Sequence, residues 1–274
     1  MHMRVLAMHN LAKAKRMDET PFCMTIIATL KRRARAVFKP EKVIHRGHIL
    51  PSKNLRFGGV HFQDHEAFLS AGENDARKLQ KWCGLKNDSR ILDIGCGTGR
   101  LAIGIASILG SVRNYQGVDV SETAIDWCAR NITPRHSAFR FLWINTKNER
   151  YNPSGKSVAT TFRFPFDDTS FDVIHLYSVF SHMRSQDIRT YLQEFRRLLA
   201  PHGAVFLTAF VEENVKDEEE NPSDYQREWK GALHCVRFAL PFFTHLVEEA
   251  DLRIDRIDHG TETDGQSAFV LRLR

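Results

Sequence analysis

From residue 84 onward, short apolar runs alternate with amphipathic stretches, and this alternation is the main structural signal in the chain. The runs at 90–94, 115–120, 139–144, 173–177, 204–210, 253–259 and 267–273 read as strands. The segments at 100–109, 122–131, 186–199 and 241–250 have helical spacing and fill the gaps. Strands separated by crossover helices form a doubly wound, mostly parallel sheet with helices on both faces, here of seven strands. Only residues 260–265 join the last two strands, too few for a crossover helix, so the last strand is expected to be antiparallel.

Upstream, residues 24–38 place Ile27, Leu30, Ala34 and Phe38 near helical spacing with a basic opposite face, predicting an amphipathic helix. Pro40 and Pro51 bracket an irregular stretch, Arg56 to Gly59 reads as a turn, and a helix is predicted over 63–83. The organisation expected is a helical, basic arm or cap over 1–60 and an α/β domain over 61–274. Two polar, proline-containing connections interrupt the domain at 145–163 and 211–233, with the length of lids.

Composition narrows the class. A hydrophobic fraction of 42% and a charged fraction of 26% are those of an ordinary globular chain. Residues 1–60 carry 13 Lys and Arg against 3 Asp and Glu, and the remainder carries 26 against 30. The arm is therefore basic and the body mildly acidic, which suits a solvated helix face, a phosphate-rich partner or an anionic membrane surface. Five cysteines, odd in number and with no Cys-x-x-Cys spacing, suggest reduced thiols and a cytoplasmic setting. The apolar stretch 22–30 is too short to span a bilayer, which takes about 20 residues, and Lys31-Arg32-Arg33 follows it instead of preceding it as in a signal peptide.

The chemistry is carried by Ile91-Leu92-Asp93-Ile94-Gly95-Cys96-Gly97-Thr98-Gly99-Arg100, a buried strand, a glycine-rich turn and a helix start. Glycines at 95, 97 and 99 let a ligand approach the main chain, and the amides of the next helix's first turn face it. The third glycine comes one residue too early for a dinucleotide fingerprint, no Gly-Lys-Ser/Thr follows, and Asp93 would repel phosphate. Asp119, at the end of the second strand, can accept hydrogen bonds from both hydroxyls of a ribose, with Val120 against an adenine face. These elements describe a site for an adenosine with a short, charged tail.

Here the chain resembles the class I S-adenosylmethionine-dependent methyltransferases. Their Asp-x-Gly-x-Gly-x-Gly signature is matched by Asp93, Gly95, Gly97 and Gly99, and their ribose acid by Asp119. Phe164 to Val173 and Phe195 to Leu207 look like the family's approach to its fourth strand and its following helix and fifth strand. The resemblance implies a Rossmann-like fold, S-adenosylmethionine as cofactor and S-adenosylhomocysteine as product. The site residues it implies are Asp93, Gly95, Cys96, Gly97, Gly99, Asp119 and Val120. Asn145 stands where the family often has an acid that binds the adenine amino group, and Asn can both accept and donate there.

Methyl transfer is an in-line displacement, so the protein mainly positions the nucleophile and takes its proton. Reacting groups collect at the carboxyl ends of the strands, so Tyr177, Ser178 and His182 should line the pocket. His182 is the candidate general base, resembling the histidine of some O-methyltransferases, and it equally fits a helix cap or loop tether. No convergent carboxylate set follows the fourth strand, so no metal is expected. The leading expectation is O-methylation of a small-molecule acceptor. Two alternatives are an RNA methyltransferase gripping phosphates with Lys31, Arg32, Arg33, Arg35 and Lys39, and a non-catalytic cofactor-binding protein docked on a membrane by its arm.

Overall fold

The computed structural model describes residues 43–158 and 162–274, so the amphipathic helix predicted at 24–38 and the arm's basic run lie outside the described residues. The description opens with an antiparallel hairpin, β1 (Val43–His45) and β2 (His48–Leu50). A short 3-10 turn, Val60–Gln63, precedes helix α1 (His65–Cys83). The Asp64 side chain caps α1 by accepting from the Ala67 amide at 2.8 Å, which is why the helix begins two residues later than its apolar spacing suggests.

The domain then runs β3 (Arg90–Ile94), α2 (Arg100–Leu109), β4 (Asn114–Asp119), α3 (Glu122–Asn131), β5 (Phe139–Trp143), β6 (Phe171–Leu176), α4 (Ser185–Leu198) and β7 (Leu199–Glu212). After β8 (Glu218–Glu220) and β9 (Val236–Ala239) come α5 (Leu240–Glu249), β10 (Leu252–Asp258) and β11 (Ser267–Leu273). Seven strands lie in the order β5-β4-β3-β6-β7-β11-β10. The first five are parallel, while β11 is antiparallel to both β7 and β10. This is the doubly wound, mostly parallel sheet with its reversed last strand.

In this sheet two strands exceed the expected seven. β9 pairs in parallel with the end of β7 (Phe210 opposite Arg237) and β8 pairs antiparallel with β9. The segment read as an irregular connection at 211–233 thus contributes a strand, β8, whose Glu-Glu-Glu sequence hid it. Its charges are individually paired: Glu219 with Arg237 at 2.8 Å, Glu220 with the Leu233 amide at 2.8 Å, and Glu218 with the Ser185 amide at 2.8 Å. β9 itself is buried along its whole length.

Residues alternate between two cores with the period of a strand. Val205, Leu207, Ala209 and Val211 of β7 join Leu92 and Ile94 of β3 on the face covered by α4 and α5. Ala204 and Phe206 join Ile91 on the face covered by α1, α2 and α3. On this second face α1 and α2 meet backbone to backbone. A Cβ added at Gly104 would sit 2.6 Å from the Glu73 nitrogen and nearer still to the Gly72 carbonyl group, so only glycine fits. Among the described residues, no helix is long and apolar enough to cross a membrane.

Candidate active site

The glycine-rich turn leaves β3 at the edge of a cavity of about 930 Å³ that opens at the carboxyl ends of the parallel strands. The turn is held against β4 from behind. The amides of Gly95 and Cys96 donate to the Val118 carbonyl at 2.8 and 3.1 Å. The Gly97 amide donates to Asp119 Oδ2 at 2.8 Å, and the Ser121 amide to Asp119 Oδ1 at 2.7 Å. Gly97 turns with φ 52°, and its absent side chain keeps the turn open toward the cavity. Asp119 therefore shapes the cradle while presenting its carboxylate to the cavity. Burial pushes its pKa above the usual carboxylate value, against the pull of the Ser121 and Gly97 amides.

The residues singled out from the sequence divide into two sets. Gly95, Gly97, Asp119, Val120, Tyr177, Ser178 and His182 line the cavity. Asp93, Cys96, Gly99 and Asn145 stand outside its lining. Asp93 is 2% exposed, behind the turn, where it accepts from the Tyr115 hydroxyl and from His175 Nδ1 at 2.8 Å. Cys96 is buried, its Sγ 3.7 Å from the Gly97 carbonyl oxygen. Gly99 packs against Ile132 and Cys128. Asn145 accepts from Asn152 Nδ2 at 3.0 Å, so its carboxamide oxygen is committed within the 145–158 connection; Ile144 and Thr146 on either side of it reach the cavity instead.

Other contributors had no signal in the sequence. Thr208 and Gln266, from β7 and the approach to β11, bond each other at 2.7 Å. Thr208 Oγ1 accepts the Ser178 amide at 2.8 Å and Gln266 donates to Ser178 Oγ at 2.9 Å, which holds Ser178 at a φ of 57°. Tyr177 is fixed by Glu262 and Thr263, with hydroxyl distances of 3.2 and 3.1 Å, and Arg100 lies 4.8 Å over its ring while pairing with Asp75. Tyr177 is a wall.

His182 is placed differently. Its Nδ1 lies 2.8 Å from the Leu233 carbonyl oxygen, an atom that can only accept, so Nδ1 carries the proton and Nε2 keeps its lone pair. The backbone of His234 also hydrogen-bonds the ring. Burial first, and then Arg150 and His234, lower the imidazole pKa to about 4, so the ring is neutral through the physiological range. Tyr151 packs edge-on against it at 5.4 Å.

Residues 91–203 match the family model described as a methyltransferase domain. Over that stretch the chain carries a methyltransferase domain. The curated relatives agree at low identity. One is a 2-phytyl-1,4-naphtoquinone methyltransferase of Trichormus variabilis, 27% identical over 149 residues, covering 54% of this chain and 58% of the relative. Another is an uncharacterized methyltransferase of Schizosaccharomyces pombe, 28% identical over 121 residues, covering 44% and 40%. The chain spans about half the length of the curated relatives it matches. Solved structures share the fold. The [4+2]-cyclase SpnF superposes with a TM-score of 0.53 at 16% identity, over 74% of this chain and 81% of that one. The PH0226 protein from Pyrococcus horikoshii gives 0.51 at 13%, over 80% and 100%.

A domain of this type uses S-adenosylmethionine, and the cavity-lining residues fit it. The turn offers main chain without side chains in the way, and Asp119 offers a carboxylate at the distance of one strand from the turn. Val120 and Ile144 supply apolar surface beside Asp119.

Proposed function

We propose that this protein methylates a hydroxyl group of a small-molecule acceptor. The observation that carries the reading is a single cavity lined by Gly95, Gly97 and Asp119 and also by His182, whose Nδ1 is held by the Leu233 carbonyl. Ligand pockets usually measure about 300–1,000 Å³. At about 930 Å³ this one has room for a cofactor and an acceptor together. Phe164, Phe210 and Trp229 give the remainder an aromatic lining suited to an apolar acceptor body. The naphthoquinone-type acceptor named for the Trichormus relative has such a body.

S-adenosylmethionine, when bound, supplies an electrophilic methyl group on a sulfonium, released as the neutral thioether of S-adenosylhomocysteine. The chain's own residues do the rest. Asp119 accepts the ribose hydroxyls and keeps the turn in register. The acceptor oxygen forms the new bond to the methyl carbon as its proton passes to His182 Nε2. Leu233 holds the ring by its other nitrogen, so no tautomer change is needed before that transfer. An imidazole of low basicity serves best for an acceptor whose own hydroxyl is acidic, such as a phenol.

Calorimetry with S-adenosylhomocysteine tests the first half, with binding expected. Incubation with S-adenosylmethionine and a panel of phenols and alcohols, read by mass spectrometry for one added methyl group, tests the second. The His182→Gln variant should bind S-adenosylhomocysteine like the parent and lose most turnover. Undiminished turnover would remove His182 from the chemistry.

A further inference from the structure

Arg150 lies in the connection between β5 and β6 and lines the cavity. Its backbone amide is bonded to Asn148 Oδ1 at 3.0 Å, but among the described residues none accepts from its guanidinium nitrogens. Nε is buried and has no partner. A buried donor left unbonded is costly, about 1–3 kcal/mol, and proteins rarely keep one without a use. The guanidinium lies 5.6 Å from the centroid of the Tyr151 ring, the same ring that packs against His182.

The other charges lining the cavity do not neutralise it. Arg227 is bonded to Asp264 at 2.9 Å, and Arg100 is paired with Asp75. Lys147 is exposed and forms no ion pair among the described residues. Asp187 lies in the fields of Arg184, Glu149 and Glu218, and burial raises its pKa. Asp119 belongs to the glycine turn. The acceptor side is therefore left with an excess of positive charge centred on Arg150, beside the aromatic surface of Tyr151 and Trp229.

We propose that Arg150 selects an acceptor that carries a carboxylate on its aromatic or apolar body, the planar fork of the guanidinium taking the two oxygens. This deepens, and rests on, the reading of the cavity as an acceptor site. A guanidinium matches a carboxylate in shape as well as charge, with paired N–H···O bonds stronger than neutral ones. Seating an anion there also affects the chemistry. Arg150 is one of the groups that depress His182 after burial, and its neutralisation restores basicity to the imidazole when the correct acceptor is present.

The test uses the full chain and a library of hydroxylated aromatic carboxylic acids, each matched with its primary amide. Retention is read by affinity-selection mass spectrometry, with and without S-adenosylhomocysteine. Acids should be retained over their amides by about tenfold or more, the worth of a charge-assisted pair. Arg150→Gln should abolish that preference, Arg150→Lys should keep part of it, and both should bind S-adenosylhomocysteine like the parent in calorimetry. Equal retention of acids and amides, retention of neither, or a preference that survives in Arg150→Gln overturns the proposal. Absence of S-adenosylhomocysteine binding in the parent would instead count against methyl transfer, because acid retention is measured without it as well.

Discussion

Asp119 Oδ2 accepts the amide of Gly97 at 2.8 Å, so the acid at the end of β4 and the turn after β3 form one unit. Its other oxygen accepts the Ser121 amide, which begins α3. The carboxylate that is to face a ribose is thus also the tie that fixes the cradle's shape.

Asp119→Ala should lose both functions. Hydrogen bonds to a charged group are worth about 1.5–3 kcal/mol, so the dissociation constant for S-adenosylhomocysteine should rise about 10- to 100-fold. Calorimetry measures it, and an unchanged constant would detach Asp119 from the cofactor.

Asp93 is expected to behave otherwise. It is out of reach of the cavity and satisfied by Tyr115 and His175. Asp93→Asn should reduce stability by about 2–3 kcal/mol in urea unfolding, because a buried acceptor of two bonds is replaced by a group that can serve only one well. Its effect on cofactor affinity should be smaller than that of Asp119→Ala; the reverse order would show that Asp93 reaches the ligand.

Gly104→Ala should be among the most damaging small substitutions. The added methyl meets the backbone of α1 at Gly72 and Glu73, and backbone cannot move aside as a side-chain tip can. Overpacking of this kind costs about 1–3 kcal/mol or more. A melting temperature equal to the parent's would mean that α1 and α2 do not touch there.

The pH behaviour of His182 follows from its depressed pKa of about 4. Between pH 6.5 and pH 4 the unfolded chain protonates this histidine and the folded chain does not. Stability contributed at this site is therefore intact above pH 6.5 and is lost as the pH falls toward 4. The slope is at most about 1.4 kcal/mol per pH unit. Urea unfolding of the parent and of His182→Gln across that window should show the parent losing more stability on acidification. Parallel curves would place the imidazole in water.

Much of the domain is written in its apolar pattern. Six strands of the seven-membered order were predictable within two residues from buried runs such as Ile91 to Ile94, while β7 begins at Leu199, five residues before the run read at 204–210. The reversed last strand followed from the short link after β10. What escaped notice had partners far along the chain. Glu218 to Glu220 fell within the polar connection read at 211–233, because Arg237, Arg184 and Leu233 meet them only after folding. Asn145 was aligned by position with an adenine ligand, and nothing local reveals that Asn152 occupies its oxygen. Gln266 and Arg150 reach the cavity from separate elements, with Thr208 bonded to Gln266 behind it, and no spacing rule joins them.

Leu233 belongs to the chain between β8 and β9 that also brings Trp229 and His234 to the cavity. A swing of this segment wide enough to admit a ligand would also strip the imidazole of its tether. The imidazole's aim is therefore set from 51 residues further along the chain, through the Leu233 carbonyl.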